Sequence, residues 1–418
     1  MNIEISGPDS VSQTSLDVVI DRARLTMKGI LCVLLLLSLS AISAVGDVVT
    51  TNIGNNFALA DEYQEHAPIL IHSDADFIAL GFQGSGTAEK PYLIENLMIV
   101  GPFTENQAAI RIEDVTASFV IRNCILYDTV NMRSPRFGII APSIDTAAVI
   151  EGNEFVGITD WGNLEECGII VTGSHNLTIT NNRITNCHDY GIFDGNGWLF
   201  DSTIRGNILS NCSTSCIRVS GGTGNKIENN IITDCQVYGI EIWCSNTSIS
   251  GNHISLGKGH GIWINGNYDT VFNNTINDCS RGIQLGRECI LFNNTMEANA
   301  YGMWLSDYAD RSNVTWNAFV NNDFSIHNDA NPVFFDYNYW SDYNGSDEDQ
   351  NGIGDTPYEN FFENVVDNHP LMYYPWYDLT TTSTSTTKGF QFQSMTVIGI
   401  GLVAVIFVVV AFLVLKRK

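Results

Sequence analysis

Positive charge is scarce in this chain. Lys and Arg total 20 against 46 Asp and Glu, a formal net charge of −26. Phosphate contacts need a basic surface, so nucleic acid is excluded as a partner. An acidic exterior suits an extracellular face or the binding of cations. Helical spacing is missing as well: through residues 94–335 the apolar residues do not recur at three- and four-residue steps. No Cys-x-x-Cys pair occurs, which removes the usual sequence sign of a zinc or redox site.

A repeat stands where those signals are absent. Asn123, Asn153, Asn182, Asn207, Asn230, Asn252, Asn274, Asn294 and Asn317 each mark the same phrase: a strand, an Asn, one residue, Ile, a polar turn, then aromatic-Gly-Ile. The marks lie 20 to 30 residues apart. That is the period of a solenoid in which each repeat is one coil stacked on the last. About ten coils at about 4.8 Å each make a rod near 50 Å long. Apolar residues fill equivalent places: Val149, Ile179, Ile204, Ile227, Ile249, Val271 and Ile290 before the mark, and Ile184, Ile208, Ile231, Ile254 and Ile276 after it. β-Branched chains suit stacked pleats. The Asn itself suits a tight bend with left-handed φ, and stacked amides can bond up the turn.

Cys187, Cys212, Cys235 and Cys279 share a column, with Asn299 and Asn322 in later coils. The expectation is a buried stack of small residues. A disulfide between neighbouring coils (Cys187 with Cys212, or Cys212 with Cys235) and a metal site are the alternatives.

The ends differ from the body. Residues 1–26 fit no targeting design. Residues 27–46 have a positive start, a short apolar run and small residues before Gly46, the pattern of a signal peptide, with an uncleaved anchor as the alternative. Residues 47–93 are expected as an N-terminal cap, 94–335 as the coils, and 336–378 as a C-terminal cap. A Thr/Ser-rich stalk, 379–394, precedes an uncharged apolar stretch, 395–415, long enough to span a bilayer. Lys416, Arg417 and Lys418 would keep the tail in the cytoplasm and the body outside. Seven Asn-x-Ser/Thr acceptors, at Asn176, Asn211, Asn246, Asn273, Asn293, Asn313 and Asn344, fit a surface glycoprotein, although several lie in the repeat's Asn column, where burial would leave them unmodified.

Three stretches carry a family resemblance: Asp74-Ala75-Asp76-Phe77 with Gly84-Ser85-Gly86-Thr87 and Pro91-Tyr92-Leu93-Ile94; the Asn-Asn/Tyr-Gly-Ile coils; and Asn338-Tyr339-Trp340-Ser341-Asp342-Tyr343 leading to Gly352-Ile353-Gly354-Asp355-Thr356-Pro357-Tyr358. Over about residues 69–376 the chain resembles the NosD-like right-handed parallel β-helix proteins, grouped with carbohydrate-binding proteins and sugar hydrolases. The resemblance implies a right-handed all-β solenoid with a cap at each end, joined here to one C-terminal transmembrane helix. The stalk and single span resemble archaeal surface proteins. The family's namesake serves copper delivery, but this sequence has no His/Met/Cys constellation for that role.

Chemistry-bearing motifs are few. Asp347, Asp349, Asn351, Ile353 and Asp355 have the alternate-oxygen spacing of a calcium loop, although Tyr358 stands where the twelfth-position Glu belongs. A solvated acidic turn is the alternative. Gly259-His260-Gly261 is similar to a motif of pectin-cleaving β-helix hydrolases, yet His260 only fills the column of Tyr190, Tyr238, Arg281 and Tyr301. Asp234 and Asp278 share a column two coils apart, at the edge of an inverting glycosidase pair, but turn residues occupy that column elsewhere. On the outward face Phe193, Arg218, Glu241, Trp243, Trp263, Gln284 and Trp304 form a stripe. Rings there suit stacking on sugars, and the polar members suit hydroxyls; packing beneath caps, loops or a partner is the competing explanation. The function expected is a cell-surface protein that binds glycans or a neighbouring surface protein. A polysaccharide lyase, hydrolase or epimerase, and a structural envelope spacer, are the alternatives.

Overall fold

The computed structural model describes residues 63–100, 108–127, 137–156, 167–195, 197–329 and 332–374. The expected signal peptide, stalk, transmembrane helix and tail lie outside them. Among the described residues no helix is long and apolar enough to cross a membrane.

Each coil gives one short strand to each of three long sheets. Sheet 1 takes the strands after the Asn mark, twelve of them from Gln64–His66 to Tyr339–Trp340. Sheet 2 takes the aromatic-Gly-Ile strands, eleven from Ile69–Ile71 to Phe324–Asn328. Sheet 3 takes the strands before the mark, thirteen from Tyr92–Glu95 to Val365–Asp367 and Tyr358–Asn360. Pairing is parallel and in register, as in Ile227↔Ile249 and Ile249↔Val271, until the final antiparallel hairpin. Sheet pairing already begins at Gln64, within the stretch read as the N-terminal cap.

The bore is filled by stacked aliphatic columns. Sheet 2 supplies Ile192, Ile217, Ile240, Ile262 and Ile283, all at most 1% exposed. In sheet 1 the column is Ile184, Leu209, Ile232, Ile254 and Ile276. Ile208 and Ile231, expected inside, face solvent at 39% and 46% exposure. In these coils the first residue of the sheet 1 strand points outward, and two consecutive apolar residues hid the phase of the alternation. The same one-residue slip puts Ile150 and Leu291 in the core where Val149 and Ile290 were expected.

Two adjacent residues divide the work of the bend from sheet 3 to sheet 1. The first takes left-handed φ: Asn181, Gly206, Asn229, Gly251, Asn273 and Asn293 lie between +54° and +65°. The second is the buried mark. From Asn153 through Asn182, Asn207, Asn230, Asn252, Asn274, Asn294 and Asn317 to Asn338, each backbone N–H donates to the side-chain oxygen of the next, at 2.9–3.0 Å. Each Nδ2 donates to that same oxygen and to a carbonyl of the preceding coil, as Asn252 does to Ile227 at 2.9 Å. Every amide is thus satisfied inside the wall, where an unmade bond would cost about 1–3 kcal/mol. Asn123 was misplaced by one. It has φ +51°, and Cys124 holds the ladder place, donating its N–H to Asn153 Oδ1 at 3.0 Å.

The cysteine column is buried as expected. The disulfide is a different one: Cys216 joins Cys235. Cys216 stands in the Gly column of sheet 2. Elsewhere in that column a Cβ would collide with a neighbouring coil, as at Gly239, where it would lie 2.5 Å from Gly261 O.

Aromatic plugs close the described ends. The helix Asp74–Ala79 lays Phe77, fully buried, on Tyr92 with ring centroids 4.6 Å apart. At the other end Trp340 lies between Phe319 and Tyr358, at 4.4 and 4.2 Å.

Candidate functional site

The outward face of sheet 2 gathers the unusual side chains. Three positions of each strand look outward: the residue before the Gly, and those two and four after it. Strict alternation would place the residue before the Gly inside, beside the Ile that follows. The strands instead pair Tyr238 with His260 and Ile240 with Ile262, and the Gly between resets the phase. Tyr190, Tyr238, His260, Arg281, Tyr301 and Phe324 therefore join the stripe. Their signal was the column of large side chains, most of them aromatic, before each Gly and before Ser325 in the last strand; a period-two reading missed it.

Arg218 anchors one cluster. Its guanidinium lies 5.4 Å from the ring centroids of both Tyr190 and Phe193, and 5.9 Å from Trp243. It donates to Tyr190 Oη at 2.8 Å and lies 3.6 Å from Glu241 Oε1. Glu241 also accepts from Trp243 Nε1 at 2.8 Å and from the Ser215 hydroxyl. A charge this buried needs such partners. Glu241 is 3% exposed and Phe193 fully buried, which corrects their reading as surface contacts. Phe193 packs with Ala108, Ile140, Ile170 and Tyr190 instead. Glu241 orients Arg218 and Trp243.

A second cluster follows along the sheet. Trp263 packs edge-on against Trp243 at 4.8 Å and lies 5.2 Å from Tyr238. Arg281 stacks on Trp304, 3.9 Å from the ring centroid, a contact worth about 1 kcal/mol. Its Nη1 also reaches His260 Nε2 at 2.9 Å, and Gln284 Oε1 lies 2.9 Å from the same nitrogen. Burial, then the Arg281 charge, pushes the His260 pKa down to about 4. With a permanent cation beside Nε2 and the ring largely buried, the imidazole is neutral, and its Nδ1 has no partner among the described residues. Trp304 meets His327 at 3.9 Å, and His327 Nδ1 lies 3.3 Å from Glu363 Oε2. The stripe is thus a continuous chain of rings and paired charges. Trp243 is 43% exposed, and Trp263 and Trp304 keep part of their surface in solvent.

The other candidate residues fall elsewhere. Asp234 and Asp278 hold left-handed turns at φ +57° and +54°. Two buried acids were not singled out as sites. Asp194 fills a core column, and burial raises its pKa to about 6. Asp269 lies at the bend before sheet 3, and burial raises it to about 7. In the acidic loop Asn351 N–H donates to Asp347 Oδ1 at 3.0 Å and to Asp349 Oδ1 at 3.2 Å. Glu348 N–H donates to Asp355 Oδ2 at 2.7 Å, and Ile353 N–H to Asn351 Oδ1 at 2.7 Å. These side chains fold onto their own backbone. The glycosylation acceptors face outward: all are exposed except half-buried Asn293, because each precedes or lies apart from the ladder Asn.

Among the described residues no group of three or more His, Cys, Asp or Glu is placed to hold a metal ion. Burial pushes the thiols of Cys124 and Cys279 up to about 11, and those of Cys244 and Cys289 up to about 12. Protonated core thiols do not fit a copper site.

The family model described as a right handed beta helix region matches residues 193–336. The model described as a periplasmic copper-binding protein (NosD) matches residues 104–243. A curated relative from Stutzerimonas stutzeri, a probable ABC transporter binding protein NosD, is 30% identical over 135 residues. That match spans 27% of this chain and 31% of the relative, so this chain covers about a third of the relative's length. Among solved structures, the Dettilon tailspike protein aligns with a TM-score of 0.42 at 15% identity, over 65% of this chain and 61% of its own. A GH136 lacto-N-biosidase from Eubacterium ramulus aligns at 0.41 and 9% identity, over 65% and 60%. At these scores they say nothing of the stripe. The chain is a right-handed parallel β-helix protein, similar to NosD over residues 104–243.

Proposed function

We propose that this protein binds an extended glycan along sheet 2, with its β-helix body displayed outside the cell and held by the apolar segment at 395–415. One observation carries the binding reading: Trp243, Trp263 and Trp304 keep exposed surface while Arg218 and Glu241 hold Trp243, Trp243 and Tyr238 hold Trp263, and Arg281 holds Trp304. Large rings left in water on a rigid strand face are a cost without a ligand. Rings held in one rotamer lose little freedom on binding, which favours affinity. Coils rise by about 4.8 Å, close to one sugar ring of an extended polysaccharide. Sugar C–H faces stack on the tryptophans, and Gln284 meets hydroxyls at the same height as the rings.

The test is glycan-array binding by the whole chain and by Trp263→Ala with Trp304→Ala. At about 1 kcal/mol per lost ring contact, the double variant binds roughly 30-fold more weakly while its circular dichroism stays that of the parent. Unchanged array binding would remove the stripe from the explanation.

A further inference from the structure

Asn246 and Tyr268 hold the same place in successive coils, at the bend from sheet 2 to sheet 3. Asn246 N–H donates to Asn267 O at 3.1 Å, which sets the two turns side by side. Both residues take left-handed φ, +56° and +61°. Asn visits that region readily, whereas a bulky side chain is strained there. The place accepts glycine without strain, as Gly224 shows one coil earlier at φ +74°. The strain at Tyr268 brings no bond in return. The residue is 57% exposed, and its side chain has no ring, cation or hydrogen-bond partner among the described residues. Backbone strain and an exposed ring held together at one position are a sign of function rather than of packing.

Its neighbour carries a chemical handle. Asn246-Thr247-Ser248 is an N-glycosylation acceptor, and the Asn246 side chain is exposed and makes no hydrogen bond among the described residues. Three other acceptors are already engaged. Asn211 Nδ2 donates to Asn186 Oδ1 at 2.8 Å. Thr295, the hydroxyl residue of the Asn293 acceptor, is buried with its Oγ1 2.9 Å from Tyr374 Oη. Ser346, which serves Asn344, donates to Asp355 Oδ2 at 3.3 Å. Side chains one coil apart in such columns meet each other. Glu288 and Arg311, the next two members of this column, lie 3.3 Å apart. Trp316 and Tyr337, at the bend from sheet 3 to sheet 1, stack with centroids 4.8 Å apart and planes 3° from parallel. A planar group on Asn246 is thereby set against the Tyr268 ring.

We propose that Asn246 is N-glycosylated and that its first sugar lies on the ring of Tyr268. The donor is a lipid-phosphate-linked sugar. Asn246 Nδ2 bonds to the anomeric carbon, the carbon–oxygen bond to the phosphate breaks, the amide gives up a proton, and the lipid phosphate leaves. The planar glycosyl amide keeps the sugar close to the turn, where its C–H face covers apolar surface that water otherwise wets. A ring already fixed by its backbone loses little freedom in that contact. This rests on the reading that the body is displayed outside the cell.

The experiment uses the full chain purified from its own cells, with Ser248→Ala to abolish the acceptor and Tyr268→Gly to remove the ring, singly and together. Mass spectrometry of the peptide containing Asn246 reads occupancy, and labelling of intact cells with an impermeant reagent reads display of the body. The expected result is a sugar on Asn246 in the parent and in Tyr268→Gly, and none in Ser248→Ala. The parent should melt about 2 °C above Ser248→Ala, and this gap should close when Tyr268 is Gly. In the unmodified background Tyr268→Gly should cost nothing, because the strained turn relaxes. A labelled body with a bare Asn246 overturns the inference and leaves the extracellular reading standing. A sugar that leaves the melt unchanged, or a gap that persists without the ring, overturns the contact with Tyr268. A bare Asn246 on a body that resists labelling overturns the inference together with the reading it rests on.

Discussion

Replacing Asp269 by Asn should stabilise this protein, and by an amount that depends on pH. Asn225, Thr247 and Asp269 share one column at the bend before sheet 3. Asn225 shows what the position asks for: its Oδ1 accepts from Ser202 N–H at 3.2 Å, and its Nδ2 donates to Leu199 O at 2.7 Å. Asp269 meets the first demand, accepting from Thr247 N–H at 2.7 Å. Its Oδ2 takes the place of the amide nitrogen and has no donor among the described residues. Cys244 O is the carbonyl equivalent to Leu199 O, three residues before the previous member of the column. A Cβ built on Gly266 would fall 2.7 Å from Oδ2 and 1.5 Å from Cys244 O, so the two oxygens are neighbours. Only a proton on Oδ2 relieves them, and burial has raised the Asp269 pKa to about 7 from 3.8. A folded-state pKa about three units above the unfolded value costs about 4 kcal/mol once the carboxyl is ionised. The sign follows from linkage. Below pH 3.8 both states hold the proton and nothing is lost. The penalty grows as pH rises toward 7 and is complete above it. Asn supplies the missing N–H at every pH. Thermal melts at pH 8 should place Asp269→Asn roughly 5–10 °C above the parent, with the gap closing by pH 4. A variant no more stable at pH 8, or a gap indifferent to pH, would refute the reasoning.

His260 should act in the opposite sense. Its folded pKa of about 4 lies below the ordinary 6.5, so its contribution is complete above pH 6.5 and is lost as pH falls toward 4; melts of His260→Gln against the parent across that window should show the difference shrinking on acidification. Asn252→Leu leaves the Asn230 N–H groups and Ile227 O without partners, so urea titration should report a loss of about 3–5 kcal/mol. If the loop of Asp347, Asp349, Asn351 and Asp355 takes calcium, millimolar calcium should raise the melting midpoint in the parent and leave Asp347→Asn plus Asp349→Asn unmoved; a midpoint indifferent to calcium in both proteins would leave that loop a self-satisfied turn.

The solenoid was legible because stacking makes every coil answer the same steric question, so Asn182, Asn207 and Asn230 report one place nine times over. Phase was less legible. Where Ile231-Ile232 or Asn123-Cys124 offered two similar residues, pattern alone could not say which faced inward, and backbone pairing decided. The stripe was half visible for a related reason: the Gly in Tyr238-Gly239-Ile240 interrupts the alternation on which face assignments rest. Phe193 and Glu241 were assigned to the correct face, but the sequence carried no sign that their surroundings bury them. The Cys216–Cys235 bond was hidden because Cys216 stands in a sheet 2 strand and Cys235 in the turn that follows Ile231–Thr233, so no single column holds both.

The Asn relay also gives the molecule a terminus. Asn338 passes its N–H and Nδ2 to Asp367 Oδ2, at 2.8 and 3.1 Å, and Trp340 Nε1 adds a third donor at 3.0 Å. A carboxylate receives but has no amide to hand onward, so the wall cannot be lengthened past that point by the same bonding. Between Asn153 and Asn338, by contrast, each turn presents its neighbours with interchangeable donors and acceptors. Gene duplication can therefore splice in or remove whole turns there while the bonding at either extremity stays the same, and the length of the sheet 2 face becomes an adjustable trait of the lineage.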